Sequence, residues 1–299
     1  QYYFLFQAKT LMTIKTHDTL MRFLFDNQAV RGARVQLHNS YQAIRTQHTC
    51  EPNAAKLLGE SAAAAALLAS TIKLEGRVSL QARGEGSLKL LVAECTQNGS
   101  LRGVVELDET TSHDECRLSV LLENGYLAVS LLPDEGQSYQ GLVPMAGDKL
   151  QDCIAAYFMQ SEQLPTALWL ACDGENAAGL LLQALPDNNE QGDDWQRLCL
   201  LAKTLTESEL LHLSHEELLH RLFHEDAVRI FEPTPMTFAC TCSDERSRNA
   251  LAVLGRDDLQ KLFSERETVE VDCQFCRQQC RYTQEDFADF LGTPSRSIH

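Results

Sequence analysis

Cys240-Thr241-Cys242 and, after thirty residues, Cys273-Gln274-Phe275-Cys276 place two closely spaced thiol pairs in one short segment. Four soft ligands brought together across a loop are what a tetrahedral zinc ion requires. The intervening residues 243–272 are long enough to hold a helix and return the second pair to the first. The segment 238–299 is too small to bury a self-sufficient core, so a metal would supply much of its folding free energy. Isolated cysteines also pack as small hydrophobes, but two doublets at ligand spacing point to metal binding. Cys240, Cys242, Cys273 and Cys276 are therefore the candidate ligands of one Zn2+ in the reduced protein.

The first doublet is tighter than the common CxxC. Neighbours at i and i+2 approach disulfide distance when the backbone bends. The same four thiols can thus hold zinc or close into two short-range disulfides, and as metal-bound thiolates they stay nucleophilic towards an oxidant. The spacing suits a switch as well as a static staple. Cys280 adds a Cys276-x3-Cys280 spacing that iron–sulfur sites also use. With four better-placed thiols present, it is read as a non-ligand.

Immediately upstream, residues 187–237 read as a charged, purely helical linker that opens at the polar 187–192 boundary. Trp195, Leu198, Cys199, Ala202 and Leu205 form one apolar stripe at helical spacing. Thr206 with Glu209 and Ser214 with Glu217 are capping-box pairs that open two further short helices. Leu218, Leu219, Leu222 and Phe223 line the last of them. Short helices are marginal unless their apolar faces find a partner, so the linker depends on docking. Trp195, Leu198, Leu218, Leu219, Leu222 and Phe223 lie on the apolar faces it would expose if it loosened, and so form its candidate binding surface. His212, His215, His220 and His224 lie here too, and are read as solvated because no thiol or carboxylate completes a metal pattern with them.

Before the linker, 12–186 reads as one α+β domain on antiparallel sheet, with helices covering it. A strand is expected at 33–37. The alanine- and leucine-rich run 54–71 reads as a buried helix rather than a membrane span, because Lys56, Glu60 and Lys73 leave too short an apolar window. Alternation over Val78, Leu80 and Ala82 and over Leu88, Leu90 and Val92 marks strands about a Gly84-Glu85-Gly86 turn. Asn98-Gly99 is a hairpin signal. A helix is expected at 150–160 and strands at 167–172 and 179–185. No nucleophile elbow, HExxH or paired-carboxylate frame is present, and the chain is read as a non-enzyme.

At 299 residues and 44% hydrophobic composition the chain can bury a large core. Its net charge of −16 opposes binding to nucleic acid and to anionic membranes. The 238–299 segment carries eight Arg/Lys against eleven Asp/Glu, with no basic patch. Eleven cysteines, an odd total in which the seven outside the two doublets are mostly scattered singly, fit a reducing compartment. Residues 1–11 lack the basic leader and cleavage site of a signal peptide and are set aside from the fold argument. A cytoplasmic location is expected.

The CxC-x30-CxxC pattern resembles the redox-regulated 33 kDa chaperonins, the heat shock protein 33 family. So do His17-Asp18 with Arg22 and Phe25, Ala29-Val30-Arg31-Gly32, Leu101-Arg102-Gly103-Val104, Asn124-Gly125-Tyr126 and the run Tyr157-Phe158-Met159-Gln160-Ser161-Glu162-Gln163-Leu164-Pro165-Thr166. The resemblance runs from about Met12 to the C-terminus. It implies an ATP-independent holdase, inactive while reduced and zinc-bound. Oxidants would convert the ligands to Cys240–Cys242 and Cys273–Cys276 disulfides with zinc release. The linker would then unfold, and the protein, commonly as a homodimer, would bind unfolding clients. The competing readings are a zinc-ribbon nucleic-acid binder, which the charge opposes, and a thiol oxidoreductase, which would carry CxxC beside a βαβ unit.

Overall fold

In a computed structural model, residues 18–48, 51–72, 75–108, 117–143, 147–186 and 192–292 are described. Expectations that fall on 1–17, Cys50, Lys73, Cys116 and 187–191 lie outside them. Contacts divide the chain into two compact units between Ala239 and Cys240.

The first unit opens with the antiparallel pair β1 (Thr19–Phe25) and β2 (Val30–Leu37). Asp18, just before β1, holds a left-handed φ of 67° and turns its carboxylate onto the start of helix α1 (Asn39–Arg45). One oxygen accepts the amides of His38 (2.9 Å) and Ser40 (2.8 Å) and the Ser40 hydroxyl (2.5 Å), and the other the Asn39 amide (2.9 Å). Burial works to raise the pKa of this carboxyl, but the bonds from Ser40, His38 and Asn39 outweigh it and hold it below the ordinary value. Because the folded value is depressed, the stability it confers is complete above about pH 4 and is lost as pH falls through the folded value. Asp18→Ala leaves the His38, Asn39 and Ser40 amides without their acceptor, the last of them buried, and should cost about 2–4 kcal/mol. A urea midpoint equal to the parent's at neutral pH would refute that role.

Helix α2 (Pro52–Ala69) follows, with Pro at its first turn and nearly every residue buried. Ala62, Ala63, Ala64 and Ala65 are 0% exposed, because their short side chains let strands approach from both sides. One side is the sheet β5-β4-β3-β6-β7, built from β3 (Gly76–Arg83), β4 (Leu88–Thr96), β5 (Ser100–Leu107), β6 (Tyr126–Pro133) and β7 (Tyr139–Val143), with the short helix α3 (Leu118–Leu122) before β6. The turn before β5 sits at Asn98-Gly99, where Gly99 takes a φ of 81° that the hairpin needs. Helix α4 (Leu150–Tyr157) widens into a π-helical turn, Phe158–Glu162, and stops at left-handed Gln163 ahead of Pro165. Then β8 (Thr166–Cys172) and β9 (Ala177–Ala184) complete the other sheet, β1-β2-β9-β8, on the opposite side of α2.

That second sheet buries apolar side chains on both of its faces. Leu20, Ala33, Val35 and Leu181 face α2, while Met21, Phe23, Phe25, Leu180 and Leu182 face outward. The outward face is covered by α5 (Gly192–Ala202), α6 (Glu207–His212) and α7 (His215–Phe223). Both expected capping boxes form, at Thr206/Glu209 and Ser214/Glu217. Leu198, Leu218, Leu219, Leu222 and Phe223 are buried against the sheet and Trp195 is half-buried there. Phe223 stands edge-on to Phe25 with ring centroids 5.1 Å apart.

The chain after α7 is not helical, contrary to the purely helical expectation. β10 (Val228–Ile230) pairs antiparallel with β1, β11 (Thr234–Pro235) pairs with the start of β1, and β12 (Thr237–Phe238) runs parallel to β5. These two- and three-residue strands carry no periodic signal. They exist because β1 and β5 otherwise present open edges with unpaired backbone groups. Among the described residues no helix is long and apolar enough to cross a membrane.

The second unit holds α8 (Asp244–Ala252) and α9 (Arg256–Glu265), joined through Gly255 at φ 85°, where the spacing predicted room for a helix. A hairpin of β13 (Val269–Asp272) and β14 (Gln279–Tyr282), a 3-10 turn Gln284–Phe287 and α10 (Ala288–Leu291) follow. Its buried apolar core is Leu259, Phe263, Val269, Tyr282, Phe287 and Leu291. A core of that size is marginal for a free-standing unit.

Candidate metal centre

Cys240 and Cys242 lie on an irregular segment that runs into α8. Ser243 caps the helix, its Oγ accepting the Arg246 amide at 3.2 Å. Arg246 reaches back, its Nη1 donating to the Thr241 carbonyl at 2.6 Å and to the Thr241 hydroxyl at 2.8 Å. The residue between the two sulfurs is thereby tied to the first turn of α8.

Cys273 and Cys276 occupy the turn between β13 and β14. The Cys273 amide donates to the Gln278 carbonyl at 2.9 Å and the Arg277 amide to the Cys273 carbonyl at 2.8 Å, with Arg277 left-handed at φ 56°. Burial opposes ionisation of the Cys273 thiol, but the backbone amides of Cys276 and Phe275, helped by the Cys240 and Cys276 thiols, outweigh it and bring it down to about 7. A thiolate accessible at neutral pH is what both metal binding and oxidation use. The Tyr282 hydroxyl donates to the Asp244 carbonyl at 2.9 Å, fastening the hairpin to the start of α8.

This scaffold brings all four sulfurs within 4.8 Å of one another, with Cys240 and Cys273 at 3.6 Å and Cys242 and Cys276 at 3.4 Å. All four are free thiols. A regular tetrahedron with metal–sulfur bonds of about 2.3 Å has sulfur–sulfur edges of about 3.8 Å. The donor set therefore fits one tetrahedral, thiophilic ion, and the cluster can bind a metal. Cys280 stands outside it, on β14 opposite Val271, packed against the unit's apolar core. Arg246, Gln278, whose Oε1 lies 3.5 Å from the Cys242 sulfur, and Tyr282 were not legible as site residues. Their reach depends on how α8 and the hairpin meet, and the CxC and CxxC spacings carry no trace of it.

A family model described as "Hsp33 protein" matches residues 18–283. The chain belongs to the Hsp33 family. Curated relatives include the 33 kDa chaperonin of Azotobacter vinelandii, 44% identical over 94% of this chain and 99% of its own, and that of Pseudomonas aeruginosa PAO1, 43% identical over 93% and 96%. A crystal structure of the 33 kDa chaperonin of Thermotoga maritima superposes with a TM-score of 0.80 over 92% of this chain and 98% of that one, at 24% identity, and so shares the fold. As an Hsp33-family protein the chain is a chaperone and not an enzyme. Its four-cysteine cluster lies within a matched region that ends at 283, beyond the last of the four sulfurs.

Proposed function

We propose that this Hsp33-family chaperone is a redox-regulated, ATP-independent holdase. In this reading Cys240, Cys242, Cys273 and Cys276 hold one zinc ion in the reduced protein, and the chaperone is then inactive. The observation that carries the reading is the gathering of four free thiols within 4.8 Å in a unit whose own core is small. Bound zinc supplies a fixed tetrahedral crosslink, worth about 10–16 kcal/mol of folding free energy in comparable small modules.

Oxidation of the four thiolates to Cys240–Cys242 and Cys273–Cys276 disulfides removes four electrons. Two equivalents of a peroxide accept them and are reduced to water and the corresponding hydroxyl compound. The donor set is then gone, and zinc is released with it. Two very short disulfide loops restrain the unfolded chain far less than a crosslink across the unit, so α8, α9 and the β13–β14 hairpin lose their order. The layer 187–237, whose helices are of marginal length, loosens next from the 12–186 domain. Its apolar faces (Trp195, Leu198, Leu218, Leu219, Leu222 and Phe223) and the sheet beneath are uncovered for clients. A newly exposed apolar surface on an acidic chain binds unfolding proteins without itself precipitating. The active form is taken as a homodimer in the cytoplasm, with neither nucleic acid nor membrane as partner.

Zinc content and suppression of citrate synthase aggregation, read on one sample before and after peroxide at raised temperature, test this. Stoichiometric zinc release with new suppression is expected. Zinc retained throughout, or lost without any gain in suppression, would leave only a structural staple.

A further inference from the structure

β2 sends two polar side chains through the apolar outer face of its sheet. Arg34 is 0% exposed, and its Nη2 donates to the carbonyls of Leu210 (3.1 Å) and Leu213 (2.5 Å). Gln36 Nε2 donates to Leu211 (3.1 Å) and Leu213 (2.8 Å). These are the carbonyls that α6 leaves unpaired at its C-terminal end. Beside them His215, the first residue of α7 and itself buried, places Nε2 2.9 Å from the Thr19 hydroxyl of β1. His215 Nδ1 and Arg34 Nε and Nη1 are buried without a hydrogen-bond partner. The helical layer is thus latched to the sheet by a cation and an imidazole whose hydrogen bonding is incomplete.

We propose that this latch makes the α5–α7 layer acid-releasable: a proton taken up by His215 beside the buried Arg34 guanidinium frees the layer and uncovers the apolar sheet, with the four-cysteine centre unchanged. Three effects oppose that proton while the layer is docked. The site is desolvated, Arg34 is already charged, and His215 sits at the positive end of the α7 dipole. Burial and Arg34 together hold the docked imidazole down at about 3, from an ordinary 6.5. In the released layer those constraints vanish. A histidine depressed in the folded state contributes fully above its unfolded value. Docking therefore weakens about tenfold per pH unit below about 6.5, down to the folded value.

Other charged groups surround the latch. Glu216 and Glu217 on α7 attract Arg34, and the Glu217 carboxylate also accepts the Ser214 amide. On α6, His212 lies 3.9 Å from Asp173, while Glu209 is paired with Arg221 of α7. Asp18, next to Thr19, is held ionised by the α1 amides. Glu60 on α2, near Glu207 of α6, is raised to about 7 by burial and works in the opposite sense, since acid relieves its charge. Only His215 among these is buried at the layer's contact with β1 and lacks a partner for one nitrogen, so substitution there separates its contribution from the rest.

The inference rests on the layer covering the sheet, and it concerns client binding only through the function proposed above. Trp169 on β8 and Trp195 on α5 both border the cluster under the layer and report its release. In the reduced, zinc-loaded full chain, the urea midpoint of the tryptophan signal should fall from about pH 7.5 to about pH 5.5, equivalent to about tenfold in the docking constant, with zinc content constant. His215→Gln should dock with a midpoint that no longer falls. Arg34→Met, retaining His215, should dock more weakly at every pH and with a shallower pH dependence. Parent and both variants falling in parallel would overturn the latch, whatever their absolute stability. Aggregation suppression at about pH 5.5 reads the client surface separately. Release without suppression upholds the latch and sinks the proposed client surface, whereas oxidant-activated suppression with no acid release sinks the latch alone.

Discussion

Cys273→Ser is expected to empty the metal centre and unfold the second unit. Serine at 273 removes one of the four thiols, one whose ionisation the Cys276 and Phe275 amides favour over the burial that opposes it. The remaining apolar core of Leu259, Phe263, Val269, Tyr282, Phe287 and Leu291 is then left to hold α8, α9 and the hairpin together. Losing even half of the about 10–16 kcal/mol typical of structural zinc exceeds what so small a core supplies. Zinc per chain should drop from about one to near zero, and amide protection across α8, α9 and the β13–β14 hairpin should collapse while that of α2 persists. Protection retained in the second unit without metal would show that its core suffices, and would remove the energetic basis for the switch. On the proposed function the same variant suppresses aggregation without oxidant.

Phe223→Ala should have the second large effect, in the first unit and with the metal centre intact. Phe223 is 2% exposed and packs on Phe25 at 5.1 Å and Phe23 at 6.4 Å, closing the C-terminal end of α7 on the sheet. Truncating a buried phenylalanine costs about 3–5 kcal/mol. α7 is nine residues long and has little stability of its own, so the loss falls on docking of the layer. Amide exchange through α6 and α7 should quicken by roughly a hundred- to a few thousandfold, with α2 much less affected. The reduced, zinc-loaded variant should then bind a hydrophobic dye and delay client aggregation. If α2 and α7 lose protection equally, the layer is not a separately releasable element, and the order of events in the proposed function is wrong.

The sequence was most informative where the physics is local. Capping at Thr206/Glu209 and Ser214/Glu217 involves residues three apart, and both boxes form. The turn at Asn98-Gly99 needs only a residue free to take positive φ. The alanine run in α2 announced a helix with close neighbours, and it lies between two sheets. Cys240, Cys242, Cys273 and Cys276 were legible because thiolate chemistry restricts which residues and spacings can surround a thiophilic ion.

Tertiary structure decided what depends on partners distant in the chain. Strands β10, β11 and β12 were invisible in a stretch expected to be helical, because strands of two or three residues are created by the open edges they pair with. Arg34 and Gln36 fall within the strand expected at 33–37, but only the docked α6 makes them buried donors. His215 read as solvated, yet it is 4% exposed against β1. Distance along the chain hides such contacts, since a side chain's environment is set by what packs over it. The chain alone therefore specified the four cysteines that cluster, the caps, the turns and the buried helix, each a matter of a few neighbouring residues or of donor chemistry. Folding decided which faces meet, what covers the second apolar face of the sheet, and that two thiol pairs thirty residues apart converge within 4.8 Å.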